Sequence, residues 1–120
     1  MNIELGEYVR TKQGDITKIT RFCELEFNKV RINSIVGEDG CLYGNPDKVV
    51  KKHSKNIIDL IEPGDYVNGK YVYKNGEDFG GEKCLHMESS EVYACEDFLY
   101  EKDIKSIVTK QQFRNMEYEV

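Results

Sequence analysis

Two stretches of this 120-residue chain repeat one pattern: "LGEYVRTKQGDITKI" at residues 5–19 and "IEPGDYVNGKYVY" at residues 61–73. In each, a glycine is followed by an acid, a tyrosine and a valine, and a further glycine comes a few residues later. Aromatic and β-branched residues between glycine turns favour short antiparallel strands. The repeat therefore predicts a strand and a tight turn at each stretch, and one structural unit that is used twice.

Glycine marks further turns along the chain, at "QG" 13–14, "EDG" 38–40, "NG" 68–69 and "NG" 75–76. Asn-Gly between extended segments is a strong hairpin signal, because a type I′ turn needs positive φ at both central residues. Strands are predicted at "EYVRTK", "DITKITRF", "LEFNKVRIN", "KVVKKHS", "DYVN", "KYVYK", "EKCLHM", "EVYAC" and "IKSIVT". We therefore expect a mainly β fold of the small-barrel type.

Two short helical segments interrupt the strands. Ser54 can cap a turn over "KNIIDLIE", which Pro63 and Gly64 close, and Thr109 with Gln112 forms a capping-box pattern before "KQQFRNM". The C-terminal "MEYEV" alternates and is predicted as an edge strand. The architecture expected is a single compact domain over residues 1–120, with related β-units at 1–60 and 61–120.

Charge is uneven along the chain, whose net charge is −5. Residues 1–60 contain ten Lys/Arg against nine Asp/Glu, and residues 61–120 contain seven against thirteen, so the halves carry +1 and −6. An acidic surface disfavours binding to phosphate backbones and favours positively charged protein partners. No apolar run is long enough to span a bilayer, and the charged N-terminus does not fit a secretion signal, so we expect a cytosolic protein.

Catalytic, metal and cofactor motifs are absent from the sequence. The four cysteines, Cys23, Cys41, Cys84 and Cys95, are widely spaced, and "CLH" at 84–86 lacks the four paired ligands of a structural zinc site. His53 and His86 each stand alone in sequence, and neither GxSxG, HExxH nor a phosphate loop occurs. The sequence therefore predicts free thiols, no metal, no cofactor and no enzymatic activity.

The segments "GEYVRTKQGDITKI", "NIIDLIEPGDYVNGKYV" and "IKSIVTKQQFRNMEYEV" resemble small, largely uncharacterised proteins from phages and prophages of Gram-positive bacteria. The first segment also resembles KOW and SH3-like barrels, in which a Gly-acid-x-Val strand precedes a glycine turn and an Ile-rich strand. This resemblance implies two SH3-like units and a counter-defence role in the host bacterial cytosol. It supplies no functional residues, and residues 76–100 fall outside it.

An acidic, aromatic segment at residues 75–103 is the first candidate site. Acids can imitate phosphates and aromatic side chains can anchor a partner, whereas a solvated acidic face with aromatics in the core is the alternative interpretation. The candidate partner-binding residues are Glu77, Asp78, Phe79, Tyr93, Glu96, Asp97, Phe98 and Tyr100.

A basic run and a pair of tyrosines form the second candidate site. Lysines on one face could hold a phosphate and stacked tyrosines could bind a base, whereas a charged edge strand and cross-strand packing are the alternatives. The candidate ligand- or phosphate-binding residues are Lys48, Lys51, Lys52, Lys55, Tyr71 and Tyr73.

Three functions follow from these candidates and the resemblance. The first is an anti-CRISPR-like inhibitor that occupies a surface of a host defence protein, such as its nucleic-acid-binding surface. The second is a sponge that sequesters a nucleotide immune signal, and the third is a KOW-like module that binds RNA or the transcription machinery. The oligomeric state does not follow from the sequence.

Overall fold

A computed structural model describes residues 2–88 and 97–115 of the chain. It confirms a mainly β fold with short helices, built of two antiparallel sheets, one of which curls into a half-barrel. The described chain divides into two compact units, Met1–Asn56 and Ile57–Val120, each with its own five-stranded sheet. Whether the units form one compact domain stays a prediction.

The first unit contains five strands in the spatial order β4-β3-β2-β1-β5. Its elements are β1 Tyr8–Thr11, β2 Ile16–Phe27, β3 Val30–Gly37, β4 Leu42–Gly44, the one-turn helix α1 Pro46–Val49 and β5 Val50–Ser54. Its core consists of Val9, Ile19, Ile35 and Val50, all nearly inaccessible to solvent. Asn45 caps α1 by accepting a hydrogen bond from the backbone N–H of Asp47.

The second unit contains five strands in the spatial order β10-β6-β7-β8-β9. Its elements are a 3₁₀ helix Ile57–Leu60, β6 Tyr66–Val67, β7 Lys70–Glu77, β8 Lys83–Met87, β9 Asp97–Leu99, a 3₁₀ helix Glu101–Asp103, β10 Ile107–Val108 and α2 Lys110–Asn115. Among the described residues of this unit, the buried apolar side chains are Ile58, Leu60, Ile61, Val67, Val72, Cys84, Leu85 and Met87.

Both units use the same topology. In each, the first four strands form a consecutive antiparallel meander, a single short helical turn follows, and the fifth strand pairs with the free side of the first. Thus β5 pairs with β1 in the first unit, and β10 pairs with β6 in the second. The repeat in sequence is therefore a repeat in strand connectivity.

The turn before the first strand of each unit is built from the same hydrogen bonds. The backbone N–H of Glu7 donates to the carbonyl of Glu4 at 3.2 Å, and its carboxylate accepts from the Glu4 N–H at 2.6 Å. Asp65 makes the same two bonds to Glu62, at 3.1 and 2.7 Å. We call these two turns, residues 4–7 and 62–65, the leading turns.

Glycine at the third position of each leading turn has positive φ, +87° at Gly6 and +96° at Gly64. Positive φ at that position is what a type II turn requires. The glycine N–H then donates to Ile19 in the first unit and to Val72 in the second. The repeated glycine-acid pair therefore sets the start and the register of the first strand in both units.

Three of the four predicted glycine turns are confirmed. Gly14 separates β1 from β2, Gly40 lies between β3 and β4, and Asn68 and Gly69 form a two-residue hairpin with φ of +53° and +79°. The short helical segments are also confirmed, as the 3₁₀ helix Ile57–Leu60 and as α2.

Three predictions of local structure are wrong in whole or in part. The predicted strand "KVVKKHS" begins only at Val50, because Lys48 and Val49 belong to helix α1. "LEFNKVRIN" is not one strand, because Asn28 and Lys29 adopt positive φ and turn the chain between β2 and β3. Asn75 and Gly76 form no turn, because both lie inside β7. The side chain of Asn75 instead donates hydrogen bonds to the carbonyls of Ile58 and Ile61, which holds the 3₁₀ helix against the sheet. The predicted strands "EVYAC" and "MEYEV" lie outside the described residues.

Candidate binding surfaces

The turn between β7 and β8, residues 77–82, presents an exposed aromatic ring among acids, and we call it the acidic tip. The phenyl ring of Phe79 is fully exposed. One carboxylate oxygen of Asp78 accepts hydrogen bonds from the backbone N–H groups of Gly80, at 2.8 Å, and Glu82, at 3.0 Å. The other oxygen accepts from the hydroxyl of Tyr100 at 2.8 Å. Asp78 thus fixes the turn that carries Phe79.

These bonds shift two pKa values in opposite directions. The hydrogen bond from Tyr100, followed by that from the Glu82 N–H, holds the pKa of Asp78 below its usual value of 3.8. The same bond to a carboxylate is the main cause that raises the pKa of Tyr100, to about 12. Asp78 is therefore ionised, and Tyr100 protonated, at neutral pH.

The acidic tip has a negative local charge. The lysine that follows the tip, Lys83 at the start of β8, pairs with Asp59 at 2.8 Å. This hydrogen bond is the largest cause that raises the pKa of Lys83, and Glu101 and Glu77 add to it. The acids of the tip are Glu77, Asp78 and Glu82, and Glu77 and Glu82 are exposed. A basic surface would meet carboxylates around an apolar ring.

The structure brings only part of the predicted acidic site together. Tyr100 reaches the tip, whereas Asp97 lies at the far end of β8, opposite Met87. Asp97 forms an ion pair with Lys70 at 3.5 Å. Phe98 is 41% exposed and packs edge-on against His86, with ring centroids 4.7 Å apart. Tyr93 and Glu96 lie outside the described residues.

A small cavity of about 260 Å³ lies beside Asp97 and Phe98. Its lining residues are Val67, Asn68, Lys70, Met87, Asp97, Phe98 and Leu99. The lysine that lines this cavity, Lys70, forms an ion pair with Asp97, which also lines it. The cavity therefore offers apolar surface rather than an open phosphate site.

Four aromatic rings of the second unit form a continuous line, which we call the aromatic row. Tyr73 contacts Tyr71 with ring centroids 5.3 Å apart, and Tyr71 contacts Tyr66 at 5.6 Å. Phe113 of α2 stacks on Tyr66 at 4.9 Å and an interplanar angle of 23°. Tyr71 and Tyr73, the tyrosines of the second candidate site, are thus in contact, and α2 extends the row through Phe113.

The predicted lysines belong to the first unit and do not share one face. Lys51 and Lys52 are consecutive residues of β5, so their side chains alternate between faces, and Lys51 is exposed while Lys52 is half-buried. Lys48 lies in α1, and Lys55 pairs with Glu4 at 3.5 Å. Because β5 is the last strand of its sheet, the basic run is a charged sheet edge.

Sequence reasoning did not identify Phe113 as a contact of the tyrosines. It also did not identify Asn68 as a residue whose side chain holds the loop at residues 103–106. The Asn68 side chain donates to the carbonyl of Asp103 and accepts from the N–H groups of Lys105 and Ser106. The capping box could have indicated Phe113, because it fixes the helix that carries this ring. No signal in the sequence indicates the partners of Asn68, since they lie far along the chain.

Within residues 2–88 and 97–115, His, Cys, Asp and Glu side chains nowhere gather in a group of three or more that could hold a metal ion. Cys84 is buried, and burial is the main cause that raises the pKa of its thiol. In the same part of the chain, no helix is long and apolar enough to cross a membrane.

Comparison of the chain with protein-family models, with curated proteins and with solved structures found no match. The structure therefore assigns the chain to a fold class, that of the mainly β proteins, with two five-stranded antiparallel sheets.

Proposed function

We propose that this chain is a non-enzymatic binding protein that places its acidic tip on a basic surface of a partner protein. The observation that carries the proposal is Phe79, fully exposed on a turn whose conformation Asp78 fixes by three accepted hydrogen bonds. A single exposed apolar residue is common on protein surfaces. An aromatic ring on a pre-organised turn among carboxylates, however, combines the anchor and the electrostatic complementarity of a binding hot spot.

The partner class proposed is a bacterial antiviral defence protein, such as the nucleic-acid-binding surface of a CRISPR effector. Support comes from the resemblance to phage proteins and from the charge of the second unit. Residues 57–120 contain seven Lys/Arg against fourteen Asp/Glu, which gives −7, while residues 1–56 contain ten against eight, which gives +2. Carboxylates at a basic groove replace the phosphates that the groove normally binds. The site of action is the host bacterial cytosol.

The charge of the second unit favours this function over a nucleotide sponge or an RNA-binding module. The described residues of the second unit, which carries the tyrosines, contain seven Lys/Arg against ten Asp/Glu, a net charge of −3 that disfavours phosphate ligands. The sponge and the KOW-like module stay predictions, and the test below separates them from the inhibitor.

Photo-crosslinking from the tip tests the proposal directly. The protein carries p-benzoylphenylalanine at position 79, or at position 42 as a control, because Leu42 is also exposed but lies in the first unit. Both proteins are irradiated in a bacterial host that expresses a CRISPR effector. We expect a crosslink to the defence protein from position 79 only, and its loss on adding Glu77→Lys and Glu82→Lys.

A phage-plating assay tests whether the protein inhibits the defence system in a host. Wild-type protein and Leu42→Ser should restore phage growth in the defended host, whereas Phe79→Ser should not, with unchanged thermal stability because the ring makes little contact in the fold. Full protection by Phe79→Ser would overturn the proposal. So would release of a bound nucleotide on denaturation without any crosslinked protein, which is the outcome that a sponge predicts.

A further inference from the structure

The aromatic row is a second apolar surface, separate in sequence from the acidic tip. Its two end rings are about half exposed, Tyr73 at 47% and Phe113 at 52%, while the two middle rings are half-buried. On β6 and β7, the neighbours Val67 and Val72 are completely buried. Since side chains alternate along a strand, the tyrosines occupy the face opposite this core.

Local structure holds the row in a fixed arrangement. Tyr66 and Tyr71 are direct cross-strand partners in the β6–β7 hairpin. The N–H of Thr109 donates to the side chain of Gln112, whose N–H donates to the hydroxyl of Thr109, so a reciprocal capping box begins the helix that carries Phe113. A pre-formed surface of this kind loses little conformational entropy on binding.

Charge determines which ligand suits the row. The unit that carries it has a net charge of −7 over residues 57–120, which opposes a nucleic-acid strand. A carboxylate also lies beside the middle of the row, because Glu88 accepts a hydrogen bond from the N–H of Tyr71 at 3.0 Å. Cationic ligands are therefore favoured over phosphates.

Arginine matches both the rings and the charge. Its planar guanidinium stacks on aromatic faces, and it is less strongly hydrated than the ammonium of lysine. Side chains two residues apart in an extended peptide are separated by roughly 6.6 Å, about 1–2 Å more than the 4.9–5.6 Å between neighbouring ring centroids of the row. We propose that the aromatic row binds an extended, arginine-bearing segment of a partner protein, independently of the acidic tip.

A random dodecapeptide display library tests this proposal. The library is selected on the full chain and depleted on the double variant Tyr73→Ala/Phe113→Ala. We expect the selected peptides to be rich in arginine. A synthetic copy of the most enriched peptide should bind at least ten times more weakly to Tyr73→Leu and to Phe113→Leu, which keep apolar volume but remove the π face, and equally well to Phe79→Ser.

Two peptide changes and one RNA probe complete the test. Replacing arginine by glutamate in the selected peptide should abolish binding, and replacing it by lysine should weaken it. Amide spectra of each variant establish that the fold is intact. No enrichment over the double variant, or enrichment of acidic peptides, would overturn the proposal. Binding of oligouridine that depends on Tyr73 would overturn it in favour of nucleic acid. The variants of the aromatic row do not change the acidic tip. A negative result in the peptide test would therefore leave the crosslinking result from position 79 unaffected, so the two proposals can fail separately.

Discussion

At the scale of single residues, two side chains decide how the candidate surfaces are held. The carboxylate of Asp78 accepts three hydrogen bonds at the acidic tip, and the side chain of Asn75 joins β7 to the carbonyls of Ile58 and Ile61. Both are polar residues that sequence reasoning assigns elsewhere, Asp78 to partner contact and Asn75 to a turn. A short polar side chain bonds to whatever backbone lies near it, and only the fold brings that backbone close.

Asp78→Asn should change how stability depends on pH. The folded protein holds the pKa of Asp78 below 3.8, so the folded state binds this proton less readily than the unfolded state. The carboxylate therefore stabilises the fold above about pH 4, and this contribution is lost as the pH falls through the lowered pKa. In Asp78→Asn, the free energy of unfolding, measured with urea at a series of pH values, should change less over this acid range. The pKa of Tyr100 should also return towards 10.

Glu82→Gln serves as the control, because Glu82 contributes its backbone N–H, not its side chain, to the turn. Its acid profile should follow that of the wild type. An Asp78→Asn profile that keeps the wild-type slope below pH 4 would contradict the role given to this carboxylate.

At the scale of elements, the leading turns show how the same local chemistry starts both sheets. The first has Leu5 at its second position, where the second has Pro63. Proline at that position of a type II turn fits without strain and restricts the unfolded chain. Leu5→Pro should therefore stabilise the first unit by about 0.4–1 kcal/mol, measured by urea unfolding.

Gly6→Ala provides the opposing control at the next position. No atom would contact the added Cβ, so the whole cost comes from the positive φ of +87°. The expected loss is about 1–2 kcal/mol. If Leu5→Pro destabilised the protein as much as Gly6→Ala, the two leading turns would not share one conformation.

At the scale of the molecule, every strand pair among the described residues lies within one unit or the other. We expect residues 57–120 expressed alone to keep slow amide exchange in β6, β7 and β8. A fragment of residues 61–120 should unfold, because it lacks Ile58 and Leu60, which are fully buried. Random-coil amide spectra for 57–120 would show instead that this unit requires the rest of the chain. A domain of about 60 residues is marginally stable, so such a loss of core is decisive.

The sequence by itself determined the mainly β class, the repeated leading turn, three of the glycine turns and the capping box of α2. These features depend on a few neighbouring residues, namely a positive φ, a β-branched run or a side chain that caps its own backbone. The fold class and these elements could therefore be predicted without coordinates.

Only the tertiary structure decided the pairing of the fifth strand with the first and the placement of the candidate residues. It joined Asp78 to Tyr100, separated Asp97 from the tip, and brought Phe113 onto Tyr66. Each of these contacts links residues that lie 22 to 47 positions apart, as in Asp78 with Tyr100 and Tyr66 with Phe113. The order in which the strands pair determines such contacts, and local sequence patterns do not predict that order.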